Sequence, residues 1–345
     1  MSPLLSLCFP TYNRASLLDG ALRAALSQVT PAMHDQVEVV VLDNASPDQT
    51  PAVVQGAQAD FPHARLRHVR RPHNIGPDAN FCDAPHQARG KFLYLLSDDD
   101  LLLPGAVPTL LALIQKHPDL DAFALSVREF RQSPDEPGKD CFDLHEDRLL
   151  HSRDEALTLL HTHITFLSCI AFRRENVLGR DYAPRFATNL AQAYMFLDAL
   201  APGRGLYATQ QPFLAKRADN NEGFDFFRVF VTHFHDLMQY ARQTGYSPQA
   251  VRQAQQHHLG FLIDTTVQFK ARGSLGSLSL SDRQSLEAAA RLFRAYGWNK
   301  SMVTILLPRL LMPRAAFTLV RDAGRAARTL RGRTPARGAR AMRRP

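Results

Sequence analysis

The sequence predicts an α/β fold: a doubly wound, mostly parallel sheet with helices on both faces, followed by a mainly helical C-terminal region. Two observations predict it. Over the first third of the chain, short and continuously apolar runs alternate with amphipathic stretches, as strands buried on both faces by crossover helices require. From Phe224 to Trp298 the apolar spacing becomes helical.

The elements follow in order. "LLSLCF" (Leu4 to Phe9) reads as a strand, "SLLDGALRAALSQ" as a helix, and "VEVVVLD" (Val37 to Asp43) as a strand. "TPAVVQGAQADF" is a helix with Thr50 as N-cap and Pro51 at its first position. "ARLRHVRR" and "KFLYLLS" are strands separated by a helix from Asp78 to Ala88. "PGAVPTLLALIQKH" continues as helix and "DAFALSVREF" as strand. The polar stretch from Gln132 to Asp154, rich in Pro and Gly, reads as a long loop. "TFLSCIAF" (Thr165 to Phe172) is a strand, "NLAQAYMFLDALA" a helix, and "GLYATQQPFLAKR" extended. "SDRQSLEAAARLFRAYG" is the clearest late helix, capped by Ser281 and closed by Gly297.

Length and charge bound the rest. At 345 residues the chain exceeds one typical compact domain. We expect a sheet-bearing region over 1–220, a helical region over 221–300 and a basic tail over 301–345. From Arg321 to Pro345 nine Arg stand against one Asp, which accounts for the whole net charge of +8. A formally neutral body with a basic appendage excludes a basic nucleic-acid-binding globule. The four cysteines form no CxxC pair, so neither a disulfide framework nor a zinc module is expected. No basic n-region precedes the first strand and no apolar run approaches the ~18 residues of a spanning helix.

Ligands of open α/β sheets bind where loops leave the carboxyl ends of the strands. Four such ends carry polar clusters: "PTYNR" (Pro10 to Arg14), "DNASPDQT" (Asp43 to Thr50), "RRPHNIG" (Arg70 to Gly76) and "SDDD" (Ser97 to Asp100). Three carboxylates at the mouth of a core strand repel one another and call for a compensating cation or donors. In isolation the run also reads as a solvated turn capping the next helix. Convergence of four clusters on one sheet edge favours a ligand site.

"FPTYNRASLLDGALRAAL", "VVVLDNASPDQT", "NIGPDANF" and "ARGKFLYLLSDDD" resemble, in order and spacing, the signatures of family-two glycosyltransferases with the GT-A fold. "ITFLSCIAFRREN" and "LYATQQPFLAKRADNN" are more loosely similar to the acceptor half of the abequosyltransferase-like branch, which acts on O-antigen and related polysaccharides. The resemblance implies a nucleotide-sugar donor, a glycan acceptor on a lipid carrier and a divalent cation. Oxygen ligands suit Mn2+ or Mg2+. In an extended strand end Asp98 and Asp100 share one side and Asp99 faces the other. We therefore assign Asp98 and Asp100 to the metal, with Asp100 the stronger ligand, and leave Asp99 to sugar hydroxyls or a cap. By the same resemblance Pro10, Thr11 and Tyr12 line base and ribose, Asp43 accepts from the nucleoside, and Asn44 and Ser46 shape that loop. Arg14 is either a phosphate contact or a surface partner in the first helical turn. Asn74 and Gly76 lie where the donor loop passes the nucleotide, glycine permitting close backbone approach.

The general base is where the sequence departs from the family pattern. Inverting members commonly carry an acidic pair at the start of the acceptor-side helix, where this chain has Thr188, Asn189 and Gln192. The nearest acids are Asp181, in a loop, and Asp198, late in the helix and expected to be solvated or capping. The pairs His161/His163 and His233/His235 lack a third ligand at zinc spacing, and Cys169 reads as a small core residue. "MVTILLPRLLM" is too short to span a bilayer. After it Phe317, Val320, Gly324 and Ala327 share one helical face opposite Arg321, Arg325, Arg328 and Arg331, a basic amphipathic pattern suited to anionic lipid. The expected location is cytoplasmic, peripheral at the inner membrane face. The alternatives are a disordered solubilising tail, a nucleotidyltransferase, for which "PTYNR" is a poor phosphate loop, and a non-catalytic binding or scaffold protein.

Overall fold

A computed structural model of the chain describes residues 2–130, 140, 142, 144–217, 224–272, 274–275, 278–279, 282–313 and 316–319. The chain divides into two compact units, residues 1–261 and 262–345. The elements of the first begin with β1 (Leu5–Thr11), α1 (Ala15–Leu26), β2 (Val37–Asp43), α2 (Thr50–Asp60), β3 (Arg65–Arg70), α3 (Pro77–Gln87), β4 (Phe92–Leu95) and β5 (Leu101–Leu102). They continue through α4 (Ala106–Lys116), β6 (Ala122–Phe130), β7 (Arg148–Leu150), α5 (Arg153–Leu160), β8 (Ile170–Arg173), α6 (Ala191–Leu200), β9 (Leu206–Arg217), α7 (Phe234–Gln243) and α8 (Pro248–Arg272).

The sheet runs β3-β2-β1-β4-β8-β6-β9-β5, with β7 also paired to β9. β1, β2, β3 and β4 are mutually parallel, and β6 and β9 pair in parallel. β8 is antiparallel to both β4 and β6. Every residue of β1 and β2 is buried, and each fully buried Val, Leu or Phe contributes about 1.5–3 kcal/mol. β2 buries two carboxylates, Asp43 at its end and Glu38, which accepts from Ser6 Oγ at 2.6 Å and Arg67 Nη1 at 3.1 Å. α1 buries Leu18, Ala21, Leu22, Ala25 and Leu26 at helical spacing and packs beside α2, whereas α3 packs beside α6.

Several local details depart from the sequence expectation. Thr50 is the first residue of α2 and Gln49, without a side-chain cap bond, its N-cap, while Asp48 accepts Thr50 N at 3.1 Å and Ala15 N at 2.8 Å. "TFLSCIAF" is a strand only from Ile170. Before it, 3-10 turns at His161–Thr165 and Leu167–Cys169 bend the chain so that Ser168 meets Tyr94 Oη and Ser97 N, each at 2.8 Å. The polar stretch read as one loop contains β7 and the start of α5, while 131–139, 141 and 143 lie outside the described residues. Ser152 caps α5 by accepting Glu155 N at 3.2 Å.

The second unit holds the end of α8, a ribbon of β10 (Ser274–Leu275) and β11 (Leu278–Ser279), α9 (Asp282–Tyr296), a π-helical turn at Met302–Leu306 and α10 (Leu307–Leu311). Ala288, Leu292, Met302, Leu306 and Leu310 are buried. Gly297 closes α9 at φ 57°, where glycine carries no Cβ penalty. Ser281 and the tail beyond Leu319 lie outside the described residues. No described helix is long and apolar enough to cross a membrane.

Candidate functional site

The parallel register brings the strand ends together. Thr11 stands opposite Asp43, Asp43 opposite Arg70, and Cys8 opposite Leu95. Beyond Leu95 the backbone still bonds to β1, Leu96 N reaching Cys8 O at 2.8 Å, which carries the acids alongside Thr11. A cleft of about 530 Å³ opens there, lined among others by Pro10, Thr11, Tyr12, Arg14, Asn44 and Asn74 on one side and Ser97, Asp98 and Asp99 on the other.

The three acids do not alternate as a strand end would. β4 stops at Leu95, Asp98 and Asp99 occupy a turn, and β5 then pairs with β9 with Leu101 opposite Ala215. Asp98 and Asp99 consequently share one cation: Arg14 donates Nη1 to Asp98 at 2.7 Å and Nη2 to Asp99 at 3.1 Å. Asp98 also accepts from Thr11 Oγ1 at 2.7 Å, and Asp99 from Ser97 Oγ. Arg14 is therefore more than a surface residue of the first helical turn. Asp100 turns inward, near Ser168 and Lys216, and its Oδ2 is buried without a hydrogen-bond partner. Burial, reinforced by the neighbouring Asp99 and Asp98, pushes the Asp100 carboxyl up to about 8. Burial also raises Asp98 to about 6, against the opposing pull of Arg14 and Thr11.

This donor set suits a hard divalent cation. It is all oxygen, short of positive charge, and contains one orphaned carboxylate oxygen. Among the described residues no three His, Cys, Asp or Glu side chains converge into a metal-binding group.

The wall opposite the acid turn is built from turns. Asn44 donates Nδ2 to Asn74 Oδ1 at 2.8 Å and to Gly76 O at 3.2 Å, and accepts Ile75 N at 2.9 Å. Gly76 adopts φ 84°, with open space where a Cβ would stand, so its conformation, not crowding by the protein, calls for glycine. Asp43 is fully buried and does not border the cleft. It accepts from Ser46 N at 2.8 Å and His68 Nε2 at 3.1 Å, with Arg70 at 3.5 Å. Ser46 in turn accepts Asn13 N at 3.0 Å. These bonds hold Asn13 and Ala45 at φ 55° and 63°, a left-handed conformation that costs a non-glycine residue roughly 1–2 kcal/mol. Tyr12 is 42% exposed.

On the other side, Asp198 is not solvated. It is buried, accepting Tyr182 Oη at 3.0 Å and Tyr240 Oη at 2.9 Å, with Arg180 at 3.8 Å. Asp181 is exposed and accepts Ala183 N at 2.9 Å. Neither lines the cleft. The acid that meets the entrance of α6 is Asp78, which the sequence reading passed over. Its carboxylate accepts Asn189 N at 2.9 Å and Ala191 N at 3.3 Å, and burial raises its pKa. Also missed were Pro77, Asn80, Phe81 and Leu167 in the cleft wall. Their position just after "NIG" was the available signal for the first three.

A mostly parallel sheet with helices on both faces and this cleft at its carboxyl edge is the GT-A arrangement. The chain belongs to glycosyl transferase family 2, whose model matches residues 6–178. It is similar to abequosyltransferase RfbV of Salmonella typhimurium, 27% identical over 238 residues, 63% of this chain and 68% of that protein. It also resembles a GalNAc(5)-diNAcBac-PP-undecaprenol beta-1,3-glucosyltransferase of Campylobacter jejuni, 36% identical over 110 residues. That match spans 32% of this chain and only 34% of that relative. Among solved structures, residues 1-349 of S. aureus TarS share the fold with a TM-score of 0.61 at 16% identity, covering 94% of this chain and 92% of that one.

Proposed function

We propose that the chain transfers one sugar from a nucleotide-diphosphate donor to a glycan acceptor carried on a lipid, at the inner face of the cytoplasmic membrane, with Mn2+ or Mg2+ at the acid turn. The observation that carries this reading is the meeting of Arg14, Asn44 and Asn74 with Asp98 and Asp99 in one cleft, beside the unsatisfied oxygen of Asp100. Pro10, Thr11, Tyr12, Asn44 and Asn74 bind the nucleoside, while Asp43, Ser46 and Gly76 hold its loops. Asp98 and Asp100 hold the cation and Asp99 faces sugar hydroxyls. Mg2+ in particular is usually held by one or two carboxylates with phosphates completing its shell. Bound there, the cation offsets the charge developing on the departing diphosphate. Residues 1–220 serve donor binding and catalysis, 221–300 form the helical region and 301–345 the basic tail. The names of the two bacterial relatives, one of them acting on an undecaprenol-linked glycan, support the acceptor class.

A second reading has a specific observation behind it. Asp181 and Asp198 both lie off the cleft, and Thr188, Asn189 and Gln192 stand where inverting relatives place acids. A nucleotide-sugar-binding protein without turnover fits that arrangement. Thermal stabilisation by UDP, GDP, CDP and dTDP with Mn2+ tests the site, since ligand at a hundredfold excess over Kd adds about 2.7 kcal/mol. Stabilisation by one nucleotide, with slow hydrolysis of its sugar conjugate, supports the transferase. Stabilisation without turnover selects the second reading, and no stabilisation by any nucleotide overturns both.

A further inference from the structure

We infer that α9 and the turn after it form a membrane-docking surface, with Trp298 anchored at the headgroup level of an anionic bilayer. This deepens the membrane reading proposed above and rests on it. α9 carries two apolar stripes. Ser285, Ala288, Ala289 and Leu292 face the interior of the helical unit. On the outer side Leu286 (64% exposed), Ala290 and Phe293 (38%) follow one another at four- and three-residue steps, which places them on one face. Trp298, the sole tryptophan of the chain, is 84% exposed and meets Phe293 edge-to-face with ring centroids 5.3 Å apart.

An outer face of this kind normally carries polar residues, and a contiguous apolar patch marks a surface that something covers. The surrounding charge indicates what. Over α9 and its turn, from Asp282 to Lys300, four Lys and Arg stand against Asp282 and Glu287, and past Glu287 the charges are all basic up to Arg321, with Arg294 and Lys300 beside the stripe exposed. Tryptophan concentrates at the bilayer interface, long basic side chains lay their stems on apolar surface with the charge outward, and anionic lipid attracts them. A second copy would bring the same basic rim against its own, so like-charge repulsion disfavours self-association.

The single tryptophan makes the test direct in the full-length chain. Anionic vesicles of mixed phosphatidylglycerol and phosphatidylcholine should shift its emission to the blue, and brominated acyl chains should quench it. Pure phosphatidylcholine should do neither. The double variant Phe293→Ser/Trp298→Ser should lose roughly tenfold or more in vesicle partitioning by co-sedimentation, with lipid-free hydrolysis of the nucleotide sugar unchanged. Co-sedimentation with an unchanged tryptophan spectrum would overturn the inference and leave lipid binding to the arginine tail. No co-sedimentation would remove the membrane reading as well, without touching the donor site. A blue shift that grows with protein concentration in the absence of lipid would identify a second copy as the occupant and overturn it too.

Discussion

Asp100→Asn separates the cost of the acid turn from its use. Asp100 is buried, its carboxyl stands at about 8 rather than 3.8, and one oxygen has no partner. Keeping that group in the native state at pH 7 costs up to about 4 kcal/mol relative to the unfolded chain, at 1.36 kcal/mol per pH unit. The sign follows from proton counting. Between pH 4 and 8 the native state binds more protons at this site than the unfolded one, so the group's contribution worsens as pH rises and vanishes below pH 4. Asn mimics the protonated acid in shape. Without metal, the variant should be more stable than wild type at pH 8 by on the order of 1–4 kcal/mol, and the difference should shrink steadily toward pH 4. Urea midpoints from pH 4 to 9 in EDTA measure it. Adding Mn2+ with the preferred nucleotide diphosphate should stabilise the wild type and leave the variant nearly unchanged. A pH-independent difference would refute the electrostatic account, and undiminished Mn2+-dependent nucleotide binding would refute the metal role.

Arg14→Ala should raise the pKa of Asp98 further, because Arg14 is the main influence lowering it, and weaken donor binding by about 1.5–3 kcal/mol. Arg14→Lys should restore only part, lacking the fork that spans both acids; calorimetric titration at pH 6 and 8 reads both effects. Asp43→Asn should lower stability by about 1–3 kcal/mol as Ser46 N, His68 and Arg70 lose a charged acceptor, with donor affinity falling alongside. An unchanged melting temperature with weakened donor binding would instead indicate direct contact with the nucleoside. Deleting 321–345 spares Phe317, which is buried in the helical unit, and should leave donor hydrolysis intact while removing the salt-sensitive part of binding to anionic vesicles. Exposed charge is screened over ~8 Å at physiological ionic strength, so high salt should imitate the deletion in the intact chain.

β1, β2 and β4 were legible because burial on both faces removes the need for alternation: "VEVVVLD" permits few other readings, while β3, at the sheet edge, is only partly buried. The edge at which their polar ends gather was legible for the same reason, since parallel strands share a carboxyl side. What failed depended on distant partners. Nothing local in "LLSDDDLL" says that β4 ends at Leu95, because Leu101 and Leu102 are drawn away by β9, more than a hundred residues later. Asp198 looked solvated because Tyr182 and Tyr240, which bury it, are far apart in sequence. One local signal was overlooked: Ser152 and Glu155 have the S-x-x-E spacing of a capping box, Ser152 Oγ accepting Glu155 N at 3.2 Å while Glu155 Oε2 accepts the preceding His151 N at 2.9 Å, and it announces α5 inside a stretch read as loop.

Asp78 has a mechanical consequence. It follows directly on Gly76 and Pro77, whose neighbours Asn74 and Asn44 border the cleft, and its carboxylate grips the backbone leading into α6. That entrance is itself under tension, with Ala187 and Asn189 at φ 66° and 56°. One side chain therefore ties the loop bordering the cleft to the backbone entering α6. A displacement of that loop should carry the entrance of α6 with it, and Asp78→Ala should uncouple the two.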